Sequence, residues 1–290
     1  MRTSERTIHR AVRKIVPSLV ALVALVAAGP PAAADSIATT EAFLPAVHVV
    51  GASGVFRTDV EVYNPDPERS AEVLFYLTPP DADYTELPGI RLDPPLRPLE
   101  AVTLPDIVLE FFQFDDAFGS LNVLSRDVAD TTKEGPALII TSNTYNVAGA
   151  LAGTYGQFSP GQPYRKAIGF DDTVYGDLHI IGLRNDPTFR TNVGIMNTEN
   201  VPLEVGVQLR DSVGQPYGTR IYTVAPFSIR QINDVFEKEF ASAGAPRDRG
   251  PYRLLVFVNL KNDAKVLCYA SVTDLRTGDP YLITGEPVAP

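Results

Sequence analysis

Three histidines, one cysteine and a scatter of carboxylates are the side chains of this 290-residue chain suited to act as ligands, bases or nucleophiles. His9 lies in a basic N-terminal stretch, whereas His48 and His179 occupy matching apolar runs, His48-Val49-Val50-Gly51 and His179-Ile180-Ile181-Gly182. A metal site needs His, Cys or carboxylate partners at close and defined spacing. Neither histidine has them, so both are read as filling one common structural role, and no metal or cofactor is expected. Cys268 alternates with Val266, Ala270 and Val272, which predicts a small core residue with an inert thiol. Gly51-Ala52-Ser53-Gly54 departs from the Gly-x-Ser-x-Gly elbow and reads as a turn. Asp115, Asp116, Asp171 and Asp172 lie in turn-like segments and read as solvated, so no catalytic residue is assigned.

Binding is the chemistry the remaining residues suit better. Arg57 and Arg190 fall at equivalent places of a recurring block and face away from the expected core, which makes them candidates for a docking surface. Trp, the usual sugar platform, is absent, but Tyr145, Tyr155 and Tyr269 also offer flat apolar rings near strand ends. These five residues form the candidate binding surface. Their bland alternative is a role as edge or core residues of a sheet.

The elements that must position them are strands. In Phe56 to Asn64 the residues Phe56, Thr58, Val60 and Val62 share one face and Arg57, Asp59, Glu61 and Tyr63 the other, the alternation of a half-buried strand. Phe189, Thr191, Val193 and Ile195 repeat the inward set. Asn64-Pro65-Asp66-Pro67 and Asn197-Thr198-Glu199-Asn200 break these strands, and the runs Val73 to Leu77 and Val205 to Leu209 are read as returning hairpin partners. One short helix per copy is predicted, after Pro105-Asp106 and after Asn233-Asp234, with the acids at capped starts.

Self-comparison gives the organisation. Blocks starting at His48, Phe56, Glu72, Leu104 and Ile139 recur in order at His179, Phe189, Glu204, Ile232 and Leu267, with offsets of 131, 133, 132, 128 and 128. The expected architecture is all-β, two tandem β-sandwich domains of immunoglobulin-like or jelly-roll-like type over residues 35–160 and 176–290, joined by a linker over 161–175. The repeated Phe-Arg-Thr-Asp/Asn block, with Gly153-Thr154-Tyr155-Gly156-Gln157-Phe158 and Asp274-Leu275-Arg276-Thr277-Gly278-Asp279-Pro280, resembles a group of uncharacterised secreted bacterial proteins over most of the chain. The resemblance implies tandem sandwiches behind a signal peptide and brings no catalytic residue with it.

Arg2, Arg6, Arg10, Arg13 and Lys14 precede the apolar run Leu19 to Ala28 and then Ala32-Ala33-Ala34, which predicts a signal peptide over residues 1–34 and an exported protein, periplasmic or extracellular. Removing that stretch leaves 20 basic against 34 acidic groups, a net charge of −14 that disfavours nucleic acid as a partner. No later segment is apolar over the ~20 residues a membrane span requires. The expected function is that of a non-enzymatic binding or cell-envelope module with a protein or glycan partner. The alternative is a polysaccharide-acting hydrolase using a pair of carboxylates.

Overall fold

Alternation with period two becomes strands throughout the computed structural model, which describes residues 38–51, 54–80, 89–147, 155–172, 176–245 and 251–289. The expected signal peptide lies outside the described residues. The protein is all-β. Its first half contains β1 (Glu41–Gly51), β2 (Gly54–Tyr63), β3 (Ala71–Thr78), β4 (Ile90–Arg91), β5 (Ala101–Leu104), β6 (Ala117–Asp127), β7 (Ile139–Asn146), β8 (Tyr155–Pro160) and β9 (Gln162–Pro163). The second contains β10 (Ile168–Gly169), β11 (Asp177–Leu183), β12 (Phe189–Asn197), β13 (Leu203–Arg210), β14 (Pro216–Val224), β15 (Ile229–Ile232), β16 (Tyr252–Val258), β17 (Lys265–Asp274), β18 (Pro280–Thr284) and β19 (Glu286–Val288).

All these strands pair antiparallel, in the same order in each half. A β3 sheet, β4-β3-β6-β1-β9, answers to a β13 sheet, β14-β13-β16-β11-β19. A β2 sheet, β5-β2-β7-β8, answers to a β12 sheet, β15-β12-β17-β18. In the first half β1 also runs on through Val49–Gly51 to pair with β2, which ties its two sheets together.

Each half closes its own interior. Val60 and Val62 of β2 meet Val73 and Phe75 of β3 and Leu121 and Val123 of β6 in one apolar cluster. In the second half Leu203, Val205, Val207 and Leu209 are fully buried along β13 while Glu204, Gln208 and Arg210 between them remain partly exposed. Complete burial of such a side chain is worth about 1.5–3 kcal/mol, so this alternation fixes which side of the sheet faces the core.

The connections after β2 and β12 correct the expected hairpins. β2 pairs with β1, β5 and β7, whereas β3 pairs with β4 and β6, so the chain crosses from one sheet to the other at Asn64. Both strands carry an apolar face, and facing each other across the core buries both faces where a shared sheet would leave them side by side. Asn64 and Asn197, each fully buried, hold the crossing. The Nδ2 group of Asn64 donates to the carbonyls of Arg69 (2.8 Å) and Arg97 (3.1 Å), and its Oδ1 accepts from the N–H of Asp66. That of Asn197 donates to Val201 (2.7 Å) and Ala225 (3.1 Å), with Oδ1 accepting from Glu199.

One short π-helical turn stands where each helix is expected, Ile107–Phe111 and Phe236–Phe240. The predicted acidic caps are not made. Asp106 and Asp234 take left-handed backbone conformations, with φ of 41° and 53°, and the Asp106 side chain makes no capping hydrogen bond. Asp tolerates this region better than most residues, and the conformation turns its carboxylate away from the helical N–H groups.

The halves form one compact unit. Phe43, on the side of β1 opposite the first core, packs with Met196, Ile229, Leu267 and Tyr269 from the β12 sheet in a third apolar cluster. Segment 161–175, expected as a linker, is built into both halves: Gln162–Pro163 adds to β1 and Ile168–Gly169 adds to β17. Between them Tyr164 donates to a Glu199 carboxylate oxygen and accepts from Lys265 Nζ at 2.7 Å. No helix among the described residues is long and apolar enough to cross a membrane.

Two titratable groups report on this packing. Cys268 is fully buried, and burial holds its thiol well above the usual thiol range. The native chain should therefore take up no iodoacetamide at neutral pH and one equivalent once unfolded, as mass spectrometry would read; rapid native labelling would contradict the packing. Glu41 is raised by burial, partly offset by a hydrogen bond from Asn122 Nδ2 (3.0 Å) and reinforced by Glu199. A carboxyl raised on folding favours the fold most at acid pH, and that contribution is lost as pH rises through its folded value. Glu41→Gln, which keeps the acceptor for Asn122, should raise the melting temperature at pH 7 and lose the advantage below the ordinary glutamate range, roughly pH 4.

Candidate functional site

Two constellations contain the candidate residues, and they differ in kind. The first is centred on Asp106. Its two carboxylate oxygens each lie 2.9 Å from Nδ1 of His48, with His48 and Asp106 only 4% and 5% exposed. Arg57 Nε approaches the same carboxylate at 3.4 Å. The backbone N–H of Asp106 donates to Asp59 Oδ1 (2.8 Å), which also accepts from the Tyr145 hydroxyl (3.2 Å). Burial and the adjacent Asp59 push that phenol above its ordinary range. Arg57 and Asp59, neighbours on the outward face of β2, thus both serve the Asp106 turn.

A carboxylate fixing Nδ1 is how hydrolytic enzymes orient a catalytic histidine. Here the ring is buried and no hydroxyl or thiol hydrogen-bonds to it among the described residues. The arrangement is a tether between β1 and the turn before Ile107. The second half keeps part of it: the N–H of Asp234 donates to Asn192 Oδ1 at 3.0 Å. Asp59 and Asn192 interchange because both present an Oδ1 acceptor. The histidines do not share a role, which corrects the common one expected: His179 lies 4.0 Å from Asp177, and burial lowers its pKa below the usual imidazole value.

The second constellation is a cleft of about 870 Å³ between the halves. Its size falls in the upper part of the roughly 300–1,000 Å³ range of small-molecule sites. One wall is the outer side of the β12 sheet, with Arg190, Asn192, Gln231 and Ser271; the other comes from β1, β2 and β8, with Val47, Val49, Phe56, Tyr155 and Gln157. Of the candidate residues, Arg190, Tyr155 and Tyr269 come together here, and Arg57 and Tyr145 belong to the Asp106 network instead.

Tyr269 forms part of the floor. It is buried, its hydroxyl donates to Gln231 Oε1 (3.2 Å), and burial keeps it protonated far above the ordinary phenol range. Its ring crosses its strand partner Gly194, where a Cβ would come within 2.1 Å of the ring carbons. Tyr155 closes one end, its ring 3.2 Å from where a Cβ on Gly278 would stand. Gly278 has φ of 82°, a conformation glycine takes without cost. Ser271 and Gln157 hydrogen-bond across the two walls.

The cleft-lining Asn192, Gln231 and Gln157 were missed from sequence, yet a signal existed. The outward face of β2 reads Arg57, Asp59, Glu61, Tyr63, whereas the same face of β12 reads Arg190, Asn192, Gly194, Met196. Loss of the two carboxylates, with Gly and Met in place of Glu and Tyr, marks a covered face. Asp115 and Asp116 are exposed, and Asp171 is exposed and paired with Lys261 (2.9 Å). Asp274 is the one carboxylate among the lining residues of the cleft, where two-acid hydrolysis needs a facing pair. Among the described residues no group of three or more His, Cys, Asp or Glu side chains is placed to hold a metal ion.

Fold and cleft together define the class: an all-β protein of stacked antiparallel sheets with a recess of mixed polar and apolar lining between its halves. No family model and no curated protein matches the chain. Among solved structures it is similar to the apo form of a Pleurotus ostreatus lectin, with 10% identity over 87% of this chain and 76% of the lectin, and a TM-score of 0.20.

Proposed function

We propose that this is an exported, non-enzymatic β-sandwich protein, periplasmic or extracellular, that acts as a binding module of the cell envelope and holds a glycan ligand in the cleft between its halves. The cleft carries the reading: it is large enough for a ligand, built from both halves, and lined by hydrogen-bonding and apolar side chains with one carboxylate among them. Export rests on the basic, apolar and small-residue order of residues 1–34. The matching strand order and the ordered sequence blocks support descent from one sandwich copied in tandem, in keeping with the resemblance to secreted bacterial tandem sandwiches.

Docking of the second copy against the first gave the duplicated surface a use that neither copy has alone. A calorimetric screen of glycans and envelope polymers against the chain from Asp35 onward tests the reading, with saturable binding of at least one saccharide expected. Turnover of a generic ester, glycoside or peptide substrate that a single side-chain change abolishes would overturn it.

A further inference from the structure

The polar lining of the cleft is biased toward donors. Asn192 Oδ1 is occupied by the N–H of Asp234, Gln231 Oε1 by the Tyr269 hydroxyl, and Asn233 Oδ1 by Gln231 Nε2 at 2.8 Å. Gln157 Oε1 is occupied by Ser271 Oγ. Each amide spends an acceptor on the protein; Gln231 Nε2 is also engaged, by Asn233, and the N–H₂ groups of Asn192, Asn233 and Gln157 are what remain for a ligand. Arg190 adds guanidinium N–H groups and no acceptor. It is exposed and lacks an ion-pair partner among the described residues, unlike Arg57 at the equivalent position, which is held by Asp106. Arg230, stacked over Tyr222 at 5.1 Å, is a second guanidinium of the lining. Asp274 is the one carboxylate in the same lining, within a chain of net charge −10.

We infer that the ligand is a carboxylate-bearing saccharide, a uronate-containing glycan, with its carboxylate seated on Arg190; this rests on the binding function proposed above. A carboxylate is acceptor-only and matches a donor-rich wall, and a guanidinium receives it in a paired, charge-assisted contact. The sugar hydroxyls match the remaining amide N–H₂ groups, and the apolar ring face lies against Phe56 of the facing wall.

The test compares trigalacturonate, its methyl ester and tetraglutamate by calorimetry on the chain from Asp35 onward and on Arg190→Gln, with circular dichroism confirming the fold. Trigalacturonate should bind at least about tenfold tighter than the ester, as a charge-assisted hydrogen bond gives. Arg190→Gln should abolish that preference, and added salt should narrow it. An ester that binds as well as the acid, or a preference that survives Arg190→Gln, overturns the inference and leaves the binding function standing. Tetraglutamate binding as tightly as trigalacturonate overturns the saccharide assignment. Failure of every saccharide to bind removes both this inference and the function beneath it.

Discussion

Replacing Phe43 by alanine is expected to cost about 3–5 kcal/mol, the range for removing a buried aromatic ring from a packed interior. Phe43 is fully buried yet sits outside both sandwich cores, in the cluster with Met196, Leu267 and Tyr269 that joins the halves. The loss should therefore fall on docking more than on either core. Calorimetry should show one cooperative transition for the parent chain and two resolved transitions for Phe43→Ala, while Phe43→Leu, which keeps most of the apolar volume, should stay cooperative. Ligand affinity should fall with docking, because the cleft has a wall from each half. A cost below about 1 kcal/mol, typical of surface positions, would mean that the halves do not depend on this contact.

The second large effect is expected at Asp106. Asp106→Ala leaves His48 Nδ1 buried without its acceptor and removes the carboxylate beside Arg57. Orphaning a buried polar group costs about 1–3 kcal/mol, more where charge is involved. The alanine must also adopt a left-handed backbone, at roughly 1–2 kcal/mol. Asp234→Ala shares that backbone cost, because Asp234 has φ of 53°. The difference between the two variants in urea unfolding isolates the carboxylate, and Asp106→Ala should be the worse by about 1–3 kcal/mol. Equal losses would show that the His48 tether contributes nothing.

Much of the architecture was legible because side-chain alternation in a strand is set by geometry. Thr58, Val60 and Val62 of β2, Thr191, Val193 and Ile195 of β12, the strand at Val205 to Leu209 and the packing of Cys268 follow from period two alone, whereas Phe56, expected inward, is partly exposed and lines the cleft. The pairing partners were not legible. Alternation says which face is buried and not which strand lies alongside, so β2 and β3 read as a hairpin although Asn64 sends the chain across the core. The helical turns were found from their apolar residues, but their acids were misread, since capping depends on a φ angle that local composition leaves free. The His48–Asp106 contact spans 58 residues and carries no spacing signal. The cleft requires knowing that the β12 sheet is covered, which only the Gly194 and Met196 substitutions on its outward face hinted at.

A ligand held in the cleft between the docked halves, as proposed, touches residues of both walls. Titrating the isotopically labelled chain with trigalacturonate and following amide chemical shifts reads this out residue by residue. Shifts should concentrate at Gln157, Arg190, Asn192 and Ser271, residues contributed by both walls. Shifts confined to the Asp106 network or to the outer side of the β13 sheet would place the ligand elsewhere and overturn the proposed site.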